Sequence, residues 1–411
     1  MKDKMPLNKY YEYLVLFICL LLAQAMHSRA FFIGYLGSLI TIVILDKRIY
    51  TSYYAKSILV ISFIAVLCII TTFIKSKSSE GRILIYKISA QILKHNFWHG
   101  IGKGNFGNEY LNYQYNYFKS GHYSRSEFLL ADNTKHAFND YLQYWIENGF
   151  VGLIVMISLS ILIYFSIKKV MNKESNELQW TRLCCGQVIA LSITALFTHV
   201  FNHPIFQTIF LISLFTIFAE LLTSIPNKWK VISYILISIC IYFTNYSQYI
   251  LNFKNYNRLR EADLLYKTGF VSESLTKYSL LYNSLKEDNI FLESYSNALA
   301  STLKYEKEQQ ILVKIIKLDN ASIYHLNLAK SYQNTGNFRY AEEEFTKAIY
   351  IVPNRFIPRR ELLNFYLLTN NKKKALITAK TIISMPIKVK SRIVNRIIND
   401  AQKNYCNLIL K

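Results

Sequence analysis

Three polar side chains lie close together in one short segment of the sequence, those of His136, Asn139 and Asp140. The apolar residues around them have helical spacing, and positions i, i+3 and i+4 share one face of a helix. We therefore expect the three side chains to lie side by side. A histidine beside an amide and a carboxylate can act as a general base that removes a proton from a hydroxyl group. A purely structural histidine is the alternative that this pattern leaves open.

Arg82 is a second candidate for chemistry. Ser79 is expected to cap a helix, which would place Arg82 in the first turn of that helix, at the membrane surface. A guanidinium group matches the oxygens of a phosphate through two parallel hydrogen bonds. Arg82 is therefore a candidate functional residue or, as the alternative, rests in solvent or against lipid phosphates.

A glycine-rich stretch runs from Gly100 to Phe106 and contains Lys103. It superficially resembles a dinucleotide-binding loop, but such a loop needs a strand before it and a helix after it. Here a helical pattern with Ile88 and Ile92 precedes the glycines. We exclude nucleotide binding and predict a tight turn with positive φ angles.

Long apolar runs in the first 250 residues predict the membrane helices that position these groups. Each run approaches the roughly 20 residues that a helix needs to cross a bilayer. Basic residues in the connections, such as Lys47, Arg48 and Lys168, predict that these connections face the cytoplasm, so that segment 75–148 and the tail after residue 250 face outward. The runs number about seven by this length criterion and cover roughly 11–26, 30–45, 57–74, 149–167, 184–200, 205–223 and 230–248.

The tail carries an internal repeat whose period is typical of tetratricopeptide repeats. We expect four helix pairs, the second degenerate and covering about 289–321, followed by a helix near 389–408. Such stacks form concave surfaces, so binding of a protein partner is one interpretation, and a rigid spacer or an oligomer contact is the other. The best match begins at Ser322 and comprises Leu328, Ala329, Tyr332, Gly336, Ala341, Phe345, Ala348 and Pro353.

The predicted fold class is therefore all-α. A polytopic membrane helix bundle over 1–250, with its outward-facing segment 75–148, is followed by a soluble α-solenoid of tetratricopeptide-like repeats over 251–411.

Composition excludes several classes of protein. Apolar residues make up 52% of the chain, and 32 Tyr and 26 Phe exclude a disordered chain. Six Cys are too few for a disulfide scaffold. The net charge of +22 would suit nucleic acid, anionic lipid or a phosphorylated substrate, but an outward-facing basic tail has no evident role with nucleic acid. No zinc spacing and no Asp-rich metal motif occurs, so neither a cofactor nor a metal ion is expected.

Five short motifs, taken in order, resemble the O-antigen ligase family of bacterial envelope polysaccharide enzymes. The resemblance covers about residues 10–225. The family usually has a histidine directly before the asparagine. This chain departs from that pattern, since Phe138 occupies the position and His136 lies two residues earlier, which leaves open whether His136 takes the role of the family's histidine. Family members also commonly have more membrane helices, so a short or amino-terminally truncated member is expected. The motifs are Ser28-Arg29, Gly81-Arg82, Gly102-Lys103-Gly104-Asn105-Phe106, Asn139-Asp140-Tyr141-Leu142 and Glu147-Asn148-Gly149-Phe150-Val151-Gly152.

The resemblance implies metal-independent transfer of a glycan from an undecaprenyl-diphosphate carrier to a hydroxyl group of a lipid or protein acceptor. The reaction would take place at the outer face of the bacterial inner membrane, and the repeat domain would be periplasmic. Arg29 and Arg82 would stabilise the diphosphate leaving group, and His136 would be the base. The expected substrate-binding residues are Asn139, Asp140, Glu147 and Lys103.

Two other interpretations stay open. Polymerases and protein O-oligosaccharyltransferases share much of this motif pattern, and the repeat tail could hold a protein acceptor. A non-catalytic membrane-anchored scaffold is the third interpretation, although a scaffold would not need the two arginines and the histidine.

Overall fold

The computed structural model describes residues 11–26, 28–46, 76–173, 178–221 and 253–410. Every regular element in this part of the chain is helical, which confirms the all-α fold class. The chain forms two compact units that alternate along the sequence. Among the described residues, the first unit contains 11–46, 93–104 and 136–221, and the second contains 77–92, 105–135 and 253–410. The predicted domain boundary near residue 250 stays a prediction.

The helices of the first unit only partly match the predicted membrane runs. Among the described residues, one helix, Asp140–Met171, is long and apolar enough to cross a membrane. The expected run 184–200 is misplaced, because its helix covers Gln179–Ala195 and a turn follows. The runs 57–74 and 230–248 lie outside the described residues, so a bundle of about seven spans stays a prediction. The remaining helices of this unit are Tyr11–Ala25, Arg29–Leu45 and Pro204–Leu221.

Small residues bring two helices of the first unit close together. A Cβ atom on Gly34 would lie 2.5 Å from the carbonyl oxygen of Ala190, which leaves no room for a side chain. The hydroxyl of Ser38 donates a hydrogen bond of 2.7 Å to the carbonyl of Gly186. Close approach of small residues is how helices gain packing energy in lipid, where apolar burial supplies no driving force.

The second unit contains four helix pairs and a final helix at the predicted places. The turn inside each pair holds one residue with positive φ, and these residues recur every 33 or 34 positions: Gly269, Leu303, Gly336 and Asn370. Identification of the pairs as tetratricopeptide repeats stays a prediction. The pairs are 253–267 with Val271–Leu285, Asn289–Ser301 with Tyr305–Leu318, Ser322–Asn334 with Phe338–Ile351, and Phe356–Leu368 with Lys372–Ser384, followed by Arg392–Leu410.

The segment 105–135 packs against these helix pairs, a contact that the sequence did not indicate. The ring of Phe128 is 6% exposed and belongs to the same apolar core as Phe345 and Leu363. The side-chain amide of Asn354 donates to three backbone carbonyls at the end of helix Arg125–Leu130, at 2.7 to 3.2 Å. The segment is therefore held both by apolar burial and by satisfied backbone carbonyls.

The helix Phe106–Lys119 lies within segment 105–135, and the helix Ser76–His95 precedes the segment in the sequence. The expectation that Ser79 caps a helix is wrong, because the helix already includes Ser76. Arg82 accordingly lies beyond the first turn. The amide of Gln114 donates to the carbonyl of Ile351, which ties the helix Phe106–Lys119 to the tail.

Candidate functional site

The glycine-rich loop adopts the predicted turn. Gly100, Gly102 and Gly104 have φ angles of 68°, 86° and 80°, a region of backbone conformation that favours glycine. A fourth glycine, Gly149, interrupts the helix Asp140–Met171 with φ 63° and ψ −154°. Both glycine motifs of the family pattern therefore use backbone conformations that other residues adopt only with strain.

The loop and the kink are in direct backbone contact. The N–H group of Gly102 donates to the carbonyl of Glu147 at 3.0 Å. A Cβ atom on Gly149 would lie 2.6 Å from both the carbonyl oxygen of Trp98 and the nitrogen of Gly100. Glycine is required at position 149 because two stretches of main chain touch there, and this contact connects two motifs that are far apart in the sequence.

His136 lies before the helix and not on its face. The predicted arrangement of His136, Asn139 and Asp140 on one helical face is wrong, because the helix begins only at Asp140. Asn139 is the N-cap, and its Oδ1 accepts a hydrogen bond of 3.0 Å from the N–H of Leu142. The preceding residue, Phe138, has a φ of 53°, which turns the chain away from a helical path.

The acidic residues of the site hold backbone near His136. Asp140 accepts a hydrogen bond of 3.0 Å from the N–H of Phe201. Glu147 is 8% exposed and accepts from the amide of Gln143 at 3.0 Å. The amide oxygen of Gln143 in turn accepts from the N–H of Ala137 at 3.2 Å. These side chains satisfy polar groups around the histidine, as buried polar groups require.

The segment from 199 to 203 contacts His136, and the sequence did not indicate this contact. The ring of His199 stacks on the ring of His136, with centroids 4.5 Å apart and planes 18° apart. The amide nitrogen of Asn202 lies 2.8 Å from Nδ1 of His136. Partial burial lowers the pKa of His199, and the nearby His203 lowers it further. Two histidines and an asparagine within five residues were the available signal, and the apolar run 184–200 obscured it.

Arg29, of the Ser28-Arg29 motif, is the first residue of the helix Arg29–Leu45 and is exposed. Two residues later, the ring of Phe31 contacts that of Phe206, with centroids 4.8 Å apart. The ring of Phe206 lies 6.1 Å from that of His203. The helix of Arg29 therefore begins at the same end of the first unit as the histidine rings.

The remaining predicted residues are divided between the units. Lys103 is exposed in the glycine turn of the first unit. Arg82 is half-buried and belongs to the second unit, near Tyr86, where burial raises the pKa of the phenol and the charge of Arg82 opposes that rise. The first unit thus contains Arg29, Lys103, His136, Asn139, Asp140 and Glu147.

A second histidine site lies inside the second unit. His325 is 4% exposed, and its Nδ1 is 2.5 Å from a carboxylate oxygen of Glu344. Its Nε2 is 2.6 Å from Oδ1 of Asn320. The amide nitrogen of Asn320 donates to Oδ1 of Asn112 at 2.7 Å, on the helix that packs against the repeats. This histidine links the repeats to segment 105–135.

Comparison with known families gives one match. No curated protein shows a significant match to this sequence. Residues 14–157 match the family model described as O-antigen ligase, and these residues include all of the motifs on which the resemblance rests. The match supports the resemblance to O-antigen ligases, which are membrane proteins, and with it glycosyl transfer of the ligase or polymerase type in general.

Proposed function

We propose that this protein is a membrane glycosyltransferase of the O-antigen ligase type. It moves a glycan from an undecaprenyl-diphosphate carrier to a hydroxyl group of a lipid or protein acceptor at the outer face of the inner membrane. The observation that carries the proposal is the family match over residues 14–157, which spans every predicted site residue. These are Arg29, Arg82, Lys103, His136, Asn139, Asp140 and Glu147.

In the proposed reaction, the acceptor oxygen bonds to the anomeric carbon of the sugar. The bond from that carbon to the phosphate oxygen breaks, and undecaprenyl diphosphate leaves with the electron pair. His136 takes the proton of the acceptor hydroxyl, a role that contributes about 10²–10⁴-fold. Arg29 and Arg82 stabilise the charge of the leaving group, each by up to ~4 kcal/mol at about 4 Å and an effective dielectric of about 20.

The other polar residues act on the site in two ways. Asn139, Asp140 and Glu147 accept hydrogen bonds from the protein, so they hold the loop that carries His136 in place. Lys103 is exposed on a rigid turn and supplies a positive charge for a phosphate or for an acidic sugar. These roles add a positioning function to the substrate-binding assignment, because Asn139 and Asp140 accept from backbone N–H groups and Glu147 accepts from the side chain of Gln143.

We also propose that the tail lies on the periplasmic side together with segment 105–135. The hydrogen bonds from Asn354 to the end of helix Arg125–Leu130, and from Asn320 to Asn112, support a common side of the membrane for both. The same contacts favour a supporting role for the repeats within this chain.

The test is complementation of a strain that lacks the gene. The wild-type gene is expected to restore a surface glycan pool, whereas Arg82→Ala and His136→Ala are expected to leave it absent. Arg125→Ala and His122→Ala are matched controls, since both residues are exposed and lie in segment 105–135. Gels of surface glycolipid and glycoprotein provide the measurement. A deletion that changes neither pool refutes glycan transfer, and restoration by both site variants refutes the site.

The pool that changes identifies the acceptor. Loss of glycan from a surface lipid indicates a ligase, and loss from proteins indicates a protein O-oligosaccharyltransferase. Shortened chains on an otherwise modified acceptor indicate a polymerase.

A further inference from the structure

His199 is the central ring of an aromatic group in the first unit. Besides its stack on His136, it meets the edge of Phe138 at 5.5 Å and lies 5.7 Å from the ring of His203. Its Nδ1 is buried and has no hydrogen-bond partner among the described residues. The ring is therefore held by contacts to its faces and edges, which is the arrangement that orients a neighbouring ring.

We propose that His199 is a positioning residue of the transfer site, which fixes the plane of the His136 ring and favours the positive charge that this ring gains on taking a proton. The proposal rests on the proposed function. The stack fixes the plane of the ring, and the contact between Asn202 and Nδ1 fixes its rotation within that plane.

The backbone that carries His199 is itself rigidly held. Val200 is 1% exposed and packs with Leu191 and Ala195. Asp140 accepts from the N–H of Phe201 at 3.0 Å, so the start of the long helix and the 199–203 turn are joined. A ring on such a support can keep a base within the small positional error that catalysis tolerates.

The charge state of His199 suits this role. Partial burial and the neighbouring His203 both lower the pKa of His199, which favours the neutral form of its ring. A neutral ring face attracts an imidazolium stacked on it, whereas two charged rings would repel each other. The charge that forms on His136 during transfer is therefore stabilised where it appears.

The test compares His199→Leu with His199→Phe in right-side-out membrane vesicles that contain the native lipid-linked glycan of the strain. Leucine fills the space without a ring, and phenylalanine keeps the ring without its nitrogens. We expect His199→Leu to slow transfer about 10- to 100-fold. We also expect the acid limb of its pH–rate profile to move to lower pH, because the cation on His136 loses its stacking partner. His199→Phe should restore most of the rate and the position of the limb.

The outcomes separate the two proposals. Wild-type vesicles that transfer no glycan refute the proposed function. Wild-type transfer with an unchanged rate and pH profile in His199→Leu refutes the positioning role. A His199→Phe variant as slow as His199→Leu also refutes it, since a ring nitrogen would then be needed. His122→Ala is the control histidine variant, and thermal unfolding in detergent reports whether each variant folds.

Discussion

The protein holds two histidines in opposite ways. The ring of His136 is half-exposed and is contacted on its face by His199, 4.5 Å away. The ring of His325 is 4% exposed and is bonded at both nitrogens, to Glu344 and to Asn320. His136 is thus contacted on its face by His199 and at Nδ1 by Asn202, whereas both nitrogens of His325 are hydrogen-bonded inside the second unit. The comparison supports the chemical role that we propose for the first histidine and a structural role for the second.

The hydrogen bonds around His325 are well defined at this second site. The amide nitrogen of Asn320 donates to Asn112, so its oxygen must face Nε2 of His325. Both ring nitrogens of His325 therefore lie within hydrogen-bond distance of oxygen atoms. Burial alone would raise the pKa of Glu344, but hydrogen bonds from His325 and Lys347 hold that pKa below its usual range. The His325–Glu344 pair, through Asn320 and Asn112, connects the repeats to segment 105–135.

The largest expected effect comes from Gly149→Ala, which breaks the backbone contact that supports the region of His136. The new Cβ would overlap two backbone atoms at 2.6 Å, and the φ of 63° would be strained. We expect a loss of about 3 kcal/mol or more in the free energy of unfolding, together with loss of glycan transfer. Thermal unfolding in detergent measures the first, and complementation measures the second.

Gly104→Ala is the matched control for this prediction. It has a similar φ of 80°, but a Cβ there would meet nothing within 4 Å. We expect it to cost only about 1 kcal/mol and to keep transfer. Equal effects of the two variants would contradict the role given to backbone contact.

His325→Ala, which removes the buried histidine of the second unit, should lower the free energy of unfolding and leave glycan transfer unchanged. It removes one partner of the buried Glu344 carboxylate, whereas Lys347 remains at 2.6 Å. Because one partner remains, we expect a loss of about 3 kcal/mol, at the low end for a broken buried pair. Transfer per folded molecule should stay at the wild-type level. A folded His325→Ala protein with no transfer would remove the distinction between the two histidines.

Features that depend on local backbone conformation could be predicted from the sequence. The helix pairs of the tail follow from their period, and the turn of the glycine loop follows from Gly100, Gly102 and Gly104. Even the degenerate second pair keeps its turn, in which Leu303 adopts a φ of 59° where two other pairs have glycine. Local patterns carry this information because each depends on backbone conformation alone.

Contacts between distant segments could not be predicted in this way. The position of His136 was wrong because Asn139 caps the helix, which an i, i+3, i+4 pattern does not reveal. His199 contacts His136 across 63 sequence positions, and Asn354 contacts Ala131 across 223. Such pairs have no sequence period, since they depend on how separate helices pack.

Asn354→Ala tests how the helix pairs of the second unit hold segment 105–135. The amide donates to the carbonyls of Phe128, Leu129 and Ala131, and its removal leaves these buried acceptors unsatisfied. We expect a cost of about 2 kcal/mol, with faster limited proteolysis within 120–135 at an unchanged cleavage pattern elsewhere. The exposed Asn399→Ala is the control and should match the wild type.

Glu344→Gln should have the smallest effect and should depend on pH. The pKa of Glu344 is lowered in the folded protein, so its charge stabilises the fold above the ordinary glutamate range, near 4.5, and this contribution is lost as the pH falls through the folded value. The wild type should therefore exceed Glu344→Gln in thermal midpoint at pH 7, and the gap should close as the pH falls below the ordinary glutamate pKa. A gap that is constant with pH would mean that the carboxylate charge of Glu344 does not stabilise its contact with His325. The buried histidine site would then depend on packing alone.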